Sequence, residues 1–265
     1  MKIKEVLQEL ELFAPLSLQD SFDNAGIQVG DINKDVTGML LCLDITEEVI
    51  EEATQLNCNL IISHHPLLFK PLKSLTGKSY IERCVMKAIQ RGIVIYSAHT
   101  NLDNAFRGVS YRVAEKIGLQ NIKVLSPMTD RIGDIPENAG AGVIGELPFP
   151  QKEETFLYQL KDIFQLKTLQ YSPLRSKEIK KVAVCGGSGA FLIPNAIALG
   201  ADAFITGEAK YNDYYDVEKI ILLAVIGHYE SEVCTKEIFF EIITKKISNF
   251  AVHFSNINSN PVNYL

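Results

Sequence analysis

Two adjacent histidines, in Ser63-His64-His65-Pro66, follow the short apolar run Leu60-Ile61-Ile62. Histidines just past a strand end sit at the carboxyl edge of a sheet, where open α/β sheets bind their ligands. Two further stretches, His99-Thr-Asn-Leu-Asp103 and His228-Tyr-Glu-Ser-Glu232, each place a carboxylate four residues after a histidine and each follow an apolar run. Imidazole nitrogen and carboxylate oxygen suit zinc, iron, manganese, cobalt or nickel, with no thiolate to narrow the choice. The donors suffice for two divalent ions. His64 and His65 diverge if the backbone stays extended, so each serves a different ion. The spacing assigns His64 and Asp103 to one metal, His65 and His228 to the other, and Glu232 as the bridge. His99, Glu208 and Glu230 are candidates for orienting a ligand or carrying a proton.

Simpler readings compete with this one. His253 reads as a satisfied core residue, His99 reads equally as a metal ligand or as the orienting partner of Asp103, and Glu232 could be an ordinary first-turn helix acid. Convergence of the same residue types at three strand ends favours the metal site, because desolvated imidazole and carboxylate are costly without a partner.

Bulk properties limit the alternatives. The 265 residues, 47% hydrophobic, allow one large or two ordinary domains. A net charge of −6 speaks against nucleic acid, and no apolar run approaches the roughly 20 residues of a membrane helix. The basic clusters Lys70/Lys73 and Lys177/Lys180/Lys181 read as solvated faces. The N-terminus reads as an amphipathic helix rather than a signal peptide. Cys42, Cys58, Cys84, Cys185 and Cys234 lack any Cys-x-x-Cys pair and read as buried free thiols in a reducing, cytoplasmic setting.

Strand and helix patterns alternate along the chain, which predicts an α/β fold with mixed, largely parallel sheets. The pattern predicts helices over 3–12, after Thr46, over the segment opened by Ser79-x-x-Glu82 and stopped by Gly92, and ending at Gly118. Strands are expected at 36–43, 59–63 and 93–98. Residues 126–150, rich in proline and glycine, read as the connection between an N-terminal α/β domain (1–125) and a C-terminal one (126–265), with Ala141–Leu147 as a candidate edge strand. The second half continues with helix 153–164, strands near 168–171 and 179–185, helix 190–199, strand 203–206, helix 211–219, strand 221–226, helix 232–246 and strand 250–255. Aligning Cys42 with Cys185, 143 residues on, and His99 with His228 suggests that the halves are a duplication, with the metal site in the cleft between them.

Several stretches resemble a known family across nearly the whole chain. They are Phe22-Asp-Asn-Ala-Gly-Ile-Gln-Val-Gly30, Ser63-His-His-Pro-Leu-Leu-Phe-Lys-Pro-Leu-Lys73, Ala98-His-Thr-Asn-Leu-Asp103, Asp202-Ala-Phe-Ile-Thr-Gly-Glu-Ala-Lys-Tyr211 and Gly227-His-Tyr-Glu-Ser-Glu232. The chain is similar to the dinuclear-metal-centre hexameric proteins, the NGG-one-interacting-factor-three-like or GTP cyclohydrolase I type-two-like family. The resemblance implies a two-domain α/β fold, a toroidal homohexamer, and two metals at positions matching His64, His65, Asp103, His228 and Glu232. It further implies metal-dependent hydrolysis, GTP cyclohydrolase-like, of a purine nucleotide or related small molecule through a metal-bridging hydroxide. A metal-binding hexameric scaffold without turnover is the alternative, and an open coordination position would separate the two. The chain departs from the family pattern at Ala25, where an aromatic is usual, and at Asn212, where a histidine is frequent. Cys185-Gly-Gly-Ser-Gly-Ala190 lacks the lysine and hydroxyl of a phosphate loop and reads as a tight strand–helix turn.

Overall fold

The computed structural model describes residues 1–128, 136–247 and 249–265. In chain order the elements begin with α1 (Ile3–Phe13), β1 (Gly26–Val29), β2 (Met39–Cys42), α2 (Glu47–Gln55), β3 (Leu60–Ser63), α3 (Tyr80–Arg91), β4 (Val94–Ser97) and α4 (Thr100–Asp103). They continue with α5 (Val109–Ile117), β5 (Gln120–Pro127), β6 (Gly140–Lys152), α6 (Glu153–Ile163), β7 (Gln170–Tyr171), β8 (Glu178–Cys185) and α7 (Ile193–Ala198). The last are β9 (Ala203–Thr206), α8 (Asp213–Asp216), β10 (Leu222–Val225), α9 (His228–Glu232), α10 (Thr235–Lys246) and β11 (Val252–Phe254).

The chain divides into two units that are discontinuous in sequence. One comprises Met1–Leu102 with Thr235–Pro261, the other Asp103–Cys234 with Val262–Leu265. The expected break at 125/126 is therefore not where the units divide. Pairing of β11 with β2 and packing of α10 on α1 draw the late segment into the first unit.

The first unit carries a sheet of order β1-β4-β3-β2-β11, parallel except for β1. Strands β2, β3 and β4 are buried at every position, as expected for parallel strands covered on both faces. Burial of Leu60, Ile61 and Ile62 stabilises by about 1.5–3 kcal/mol each. The helix ends follow the sequence signals. Thr46 accepts from the Val49 amide at 3.3 Å, Ser79 accepts from Glu82 at 3.2 Å, and Gly92 closes α3 in the left-handed region at φ 67°. Glu82 differs from the expected box. Its carboxylate reaches back to the amides of Thr76 and Lys78 and so ties the preceding loop to the helix.

The second unit carries a sheet of order β5-β6-β8-β9-β10-β7, with a parallel centre (β8, β9, β10) flanked by antiparallel strands. The expectation of a connection over 126–150 fails here. Residues 129–135 lie outside the described residues, but 140–152 form the longest strand of the chain, interior to the sheet and paired on both sides. Its glycines serve close approach rather than turning. A Cβ at Gly140 would lie 2.2 Å from the Ser126 carbonyl. The prolines 148 and 150 fall where the β6–β8 register is interrupted between Glu146 and Gln151, where no ladder donor is required. Helix 211–219 shortens to Asp213–Asp216, helix 190–199 begins as a 3-10 turn, and helix 232–246 starts later, as α10 from Thr235, with the short α9 over His228–Glu232 before it.

The internal repeat is visible in topology. In each unit three parallel strands are preceded by a strand that returns antiparallel beside the third: β1 beside β4, β7 beside β10. The register agrees, with Cys42 opposite Ser63 and Cys185 opposite Thr206. The alignment of His99 with His228 is, however, one residue out of step. Ser63 pairs with Ser97 while Thr206 pairs with Val225, so Thr100 corresponds to His228. His99 accordingly precedes the first residue of α4, whereas His228 is the first residue of α9.

Candidate metal centre

In the first unit, the turn after β3 is fixed by its backbone. The amides of His64 and His65 both donate to the Leu43 carbonyl, at 3.2 and 3.0 Å. The Ser63 and Ser97 hydroxyls, 2.8 Å apart, both donate to the His65 carbonyl. This clamp fully buries His64 and half-buries His65. With His99 they form a cluster whose ligand nitrogens lie within 4.8 Å of one another. The ring centroids of His64 are 5.0 Å from those of His65 and 5.2 Å from those of His99.

Each of these rings is held by an oxygen acceptor at Nδ1. Ala98 carbonyl oxygen lies 2.8 Å from His64, Asp44 Oδ1 2.6 Å from His65, and Asp23 Oδ1 2.7 Å from His99. An acceptor at that distance calls for a proton on Nδ1 and leaves Nε2 as the nitrogen that can bind a metal. The two carboxylate acceptors, Asp23 and Asp44, are ionised. Burial raises the Asp23 carboxyl, but hydrogen bonds from His99 and Thr100 outweigh it and bring the pKa down to about 2. Asp44 is raised by burial and lowered further by its hydrogen bonds to His65 and Ser259, ending below the usual carboxylate range.

In the second unit, His228 opens α9 and stands one turn before Glu232, so both project from one helix face. His228 Nε2 is 3.0 Å from Glu232 Oε2, and its Nδ1 is 2.9 Å from Glu208 Oε1. Burial raises the Glu208 carboxyl, and hydrogen bonds from Ser188 and His228 more than reverse the effect. Carboxylate oxygens of Asp103 and Glu232 come within 4.8 Å. Two carboxylates so close, one of them buried, call for a cation or a proton between them. The glycine-rich turn after β8 shapes this pocket. Gly187 adopts φ 58°, and a Cβ there would lie 2.1 Å from Glu232 Oε1, so only glycine leaves room for the carboxylate. Glu230 instead folds back on its own helix start, its carboxylate against Gly227.

These two clusters contain every sequence-predicted site residue except Glu230, which is turned onto Gly227. The predicted set lacked Asp23, Asp44, Ser188 and Gly187. Asp44 carried a signal, being an acid two residues past strand β2, and Asp23 lies in the Phe22–Gly30 stretch. The three oriented imidazoles of the first unit form a group that could hold a metal ion, and the second unit offers an imidazole and adjacent carboxylates as further donors.

A family model described as Duf34/NIF3 (NGG1p interacting factor 3) matches residues 1–261. The chain belongs to the Duf34/NIF3 family. It is 32% identical over 260 residues to a Clostridium acetobutylicum protein named GTP cyclohydrolase 1 type 2 homolog, covering 98% of this chain and 94% of that one. A Clostridium perfringens protein of the same name is 34% identical over 233 residues, covering 88% and 87%. Among solved structures, a Bacillus cereus protein related to NIF3 superposes with a TM-score of 0.91 at 26% identity, covering 100% of this chain and 99% of that one. The chain carries histidine and glutamate groups able to hold a metal ion. Its five cysteines are free and buried, and burial raises Cys42, Cys58 and Cys84, which removes them as nucleophiles near neutral pH. No helix among the described residues is long and apolar enough to cross a membrane.

Proposed function

We propose that this chain is a dinuclear metal-dependent hydrolase acting on a purine nucleotide or related small molecule, assembled as a homohexamer. One observation carries the reading: all four strand-end histidines have Nδ1 held by an oxygen acceptor, so Nε2 is the nitrogen left to meet a metal, beside Glu232 Oε2 in the case of His228. The proposed ligands are His64, His65, Asp103, His228 and Glu232. Two divalent cations, when bound, supply Lewis acidity and lower the pKa of a coordinated water from 15.7 towards roughly 7. Asp44 and Glu208 keep His65 and His228 in the donor tautomer, and Ser188 holds Glu208 in place by a 2.5 Å hydrogen bond. His99, backed by the ionised Asp23, is the group proposed to hold and return the proton. The name shared by the Clostridium relatives supports a nucleotide substrate.

Elemental analysis of the purified chain, with a GTP hydrolysis assay after metal reconstitution, tests the reading. The expected result is close to two metals per protomer with metal-dependent turnover, and the absence of bound metal after reconstitution would overturn it. His228→Ala and Glu232→Ala are expected to cut metal content sharply while leaving the fold intact. Light scattering should return a hexameric mass, and a monomeric one removes that part of the proposal.

A further inference from the structure

The second unit contains a cleft of about 620 Å³, within the range of small-molecule sites, and His228 and Glu208 form part of its wall. Beyond these two residues the lining has features that the metal reading does not use. Phe191 is 65% exposed and Tyr264 39%, a large apolar and aromatic surface left open inside a concavity. Lys210 is the cation of the lining, and among the described residues no carboxylate pairs with it. The acids nearby are already engaged. Glu208 accepts from Ser188 and His228, and Asp213 accepts from the Lys210 backbone amide at 2.6 Å, which ties the preceding loop to the first residue of α8. An exposed aromatic face, an uncommitted cation and a wall containing a reactive-site histidine are complementary to a planar ring bearing an anionic group.

We propose that this cleft holds the organic body of a nucleotide, with the base against Phe191 and a phosphate on Lys210. The proposal rests on the reading of His228 as a site residue and adds the substrate subsite to it. Lys210 lies in the Thr206-Gly-Glu-Ala-Lys210 stretch immediately after β9, so the same turn supplies Glu208 to His228 and Lys210 to the cleft. The cleft and the metal donors are thus positioned by one strand end.

The test is calorimetric titration of the full chain, metal-free and zinc-loaded, with GTP, guanosine and inorganic triphosphate. In Lys210→Met, GTP and triphosphate are expected to weaken roughly tenfold, as for loss of a charged hydrogen bond, with guanosine unchanged. In Phe191→Ala, GTP and guanosine are expected to weaken roughly tenfold, as for loss of a base-stacking partner, with triphosphate unchanged. Neither side chain is a metal donor, so both variants should match the wild type in metal content. Wild-type affinities in both variants, or no GTP binding by the wild type in either form, would overturn the proposal. Failure of the metal reading is seen separately, as absence of metal by elemental analysis, and leaves the variant-to-wild-type affinity ratios in place.

Discussion

Replacing Gly187 by alanine probes the site through a single methyl group. The added Cβ would sit 2.1 Å from Glu232 Oε1, whereas such contacts do not fall below 3.0 Å, so the carboxylate must retreat by about 1 Å. That displacement breaks its 3.0 Å contact with His228 and withdraws the proposed bridging oxygen. The backbone adds a cost of its own, since φ 58° is a left-handed conformation worth about 1–2 kcal/mol against a residue with a Cβ. Gly200 separates the two effects. It has φ 70° and nothing within 4 Å of its Cβ position, so Gly200→Ala carries the strain without the clash. Denaturant unfolding should show both variants destabilised by about 1–2 kcal/mol. Zinc affinity, measured by competition with a chromophoric chelator, should fall roughly 10- to 100-fold in Gly187→Ala and stay at the wild-type value in Gly200→Ala. Equal zinc affinities in the two variants would refute the argument that Gly187 exists to seat Glu232.

Three further outcomes are expected. Asp44→Asn should keep the fold but lower metal affinity roughly 10- to 100-fold, because the acceptor that holds His65 loses its charge; unchanged affinity by the same chelator competition would remove Asp44 from the site. Asp23, whose carboxyl is brought down to about 2 and whose side chain is fully buried, contributes stability that is complete above its ordinary value of 3.8 and is lost as pH falls towards 2. At about 1.36 kcal/mol per unit this amounts to about 2 kcal/mol, so the stability gap between wild type and Asp23→Asn should close between pH 4 and 2; a gap constant with pH would contradict the assignment. Arg175→Met removes the guanidinium from buried Glu153, leaving only the backbone amides of Arg175 and Lys177 on its carboxylate, and should cost about 3 kcal/mol in urea unfolding, with a loss under 1 kcal/mol refuting the importance of the pair.

The parts of the fold legible in the sequence are those set by local chemistry. Thr46, Ser79 and Gly92 marked helix ends because capping is decided within three or four residues. The strand-end histidines were legible because an apolar run of four residues is enough to place the residue after it at a sheet edge. The i, i+4 pairing of His228 with Glu232 was likewise a property of one helix. The segment 126–150 was misread because glycine has two uses: turning the chain and admitting a neighbour closely. At Gly140 the neighbour is the Ser126 carbonyl across a strand pair.

What only the tertiary structure decided is which acid holds which histidine. Asp23 reaches His99 across 76 residues, Asp44 reaches His65 across 21, and Glu208 reaches His228 across 20. Strand order and register make those contacts, and register is set by burial of whole strands rather than by any motif. Counted from matching register positions, His99 follows Ser97 by two residues and lies ahead of its helix, whereas His228 follows Val225 by three and lies within one. The sequence by itself determined the donors; the sheets determined which acceptor orients each ring and brought Gly187 to where it makes room for Glu232.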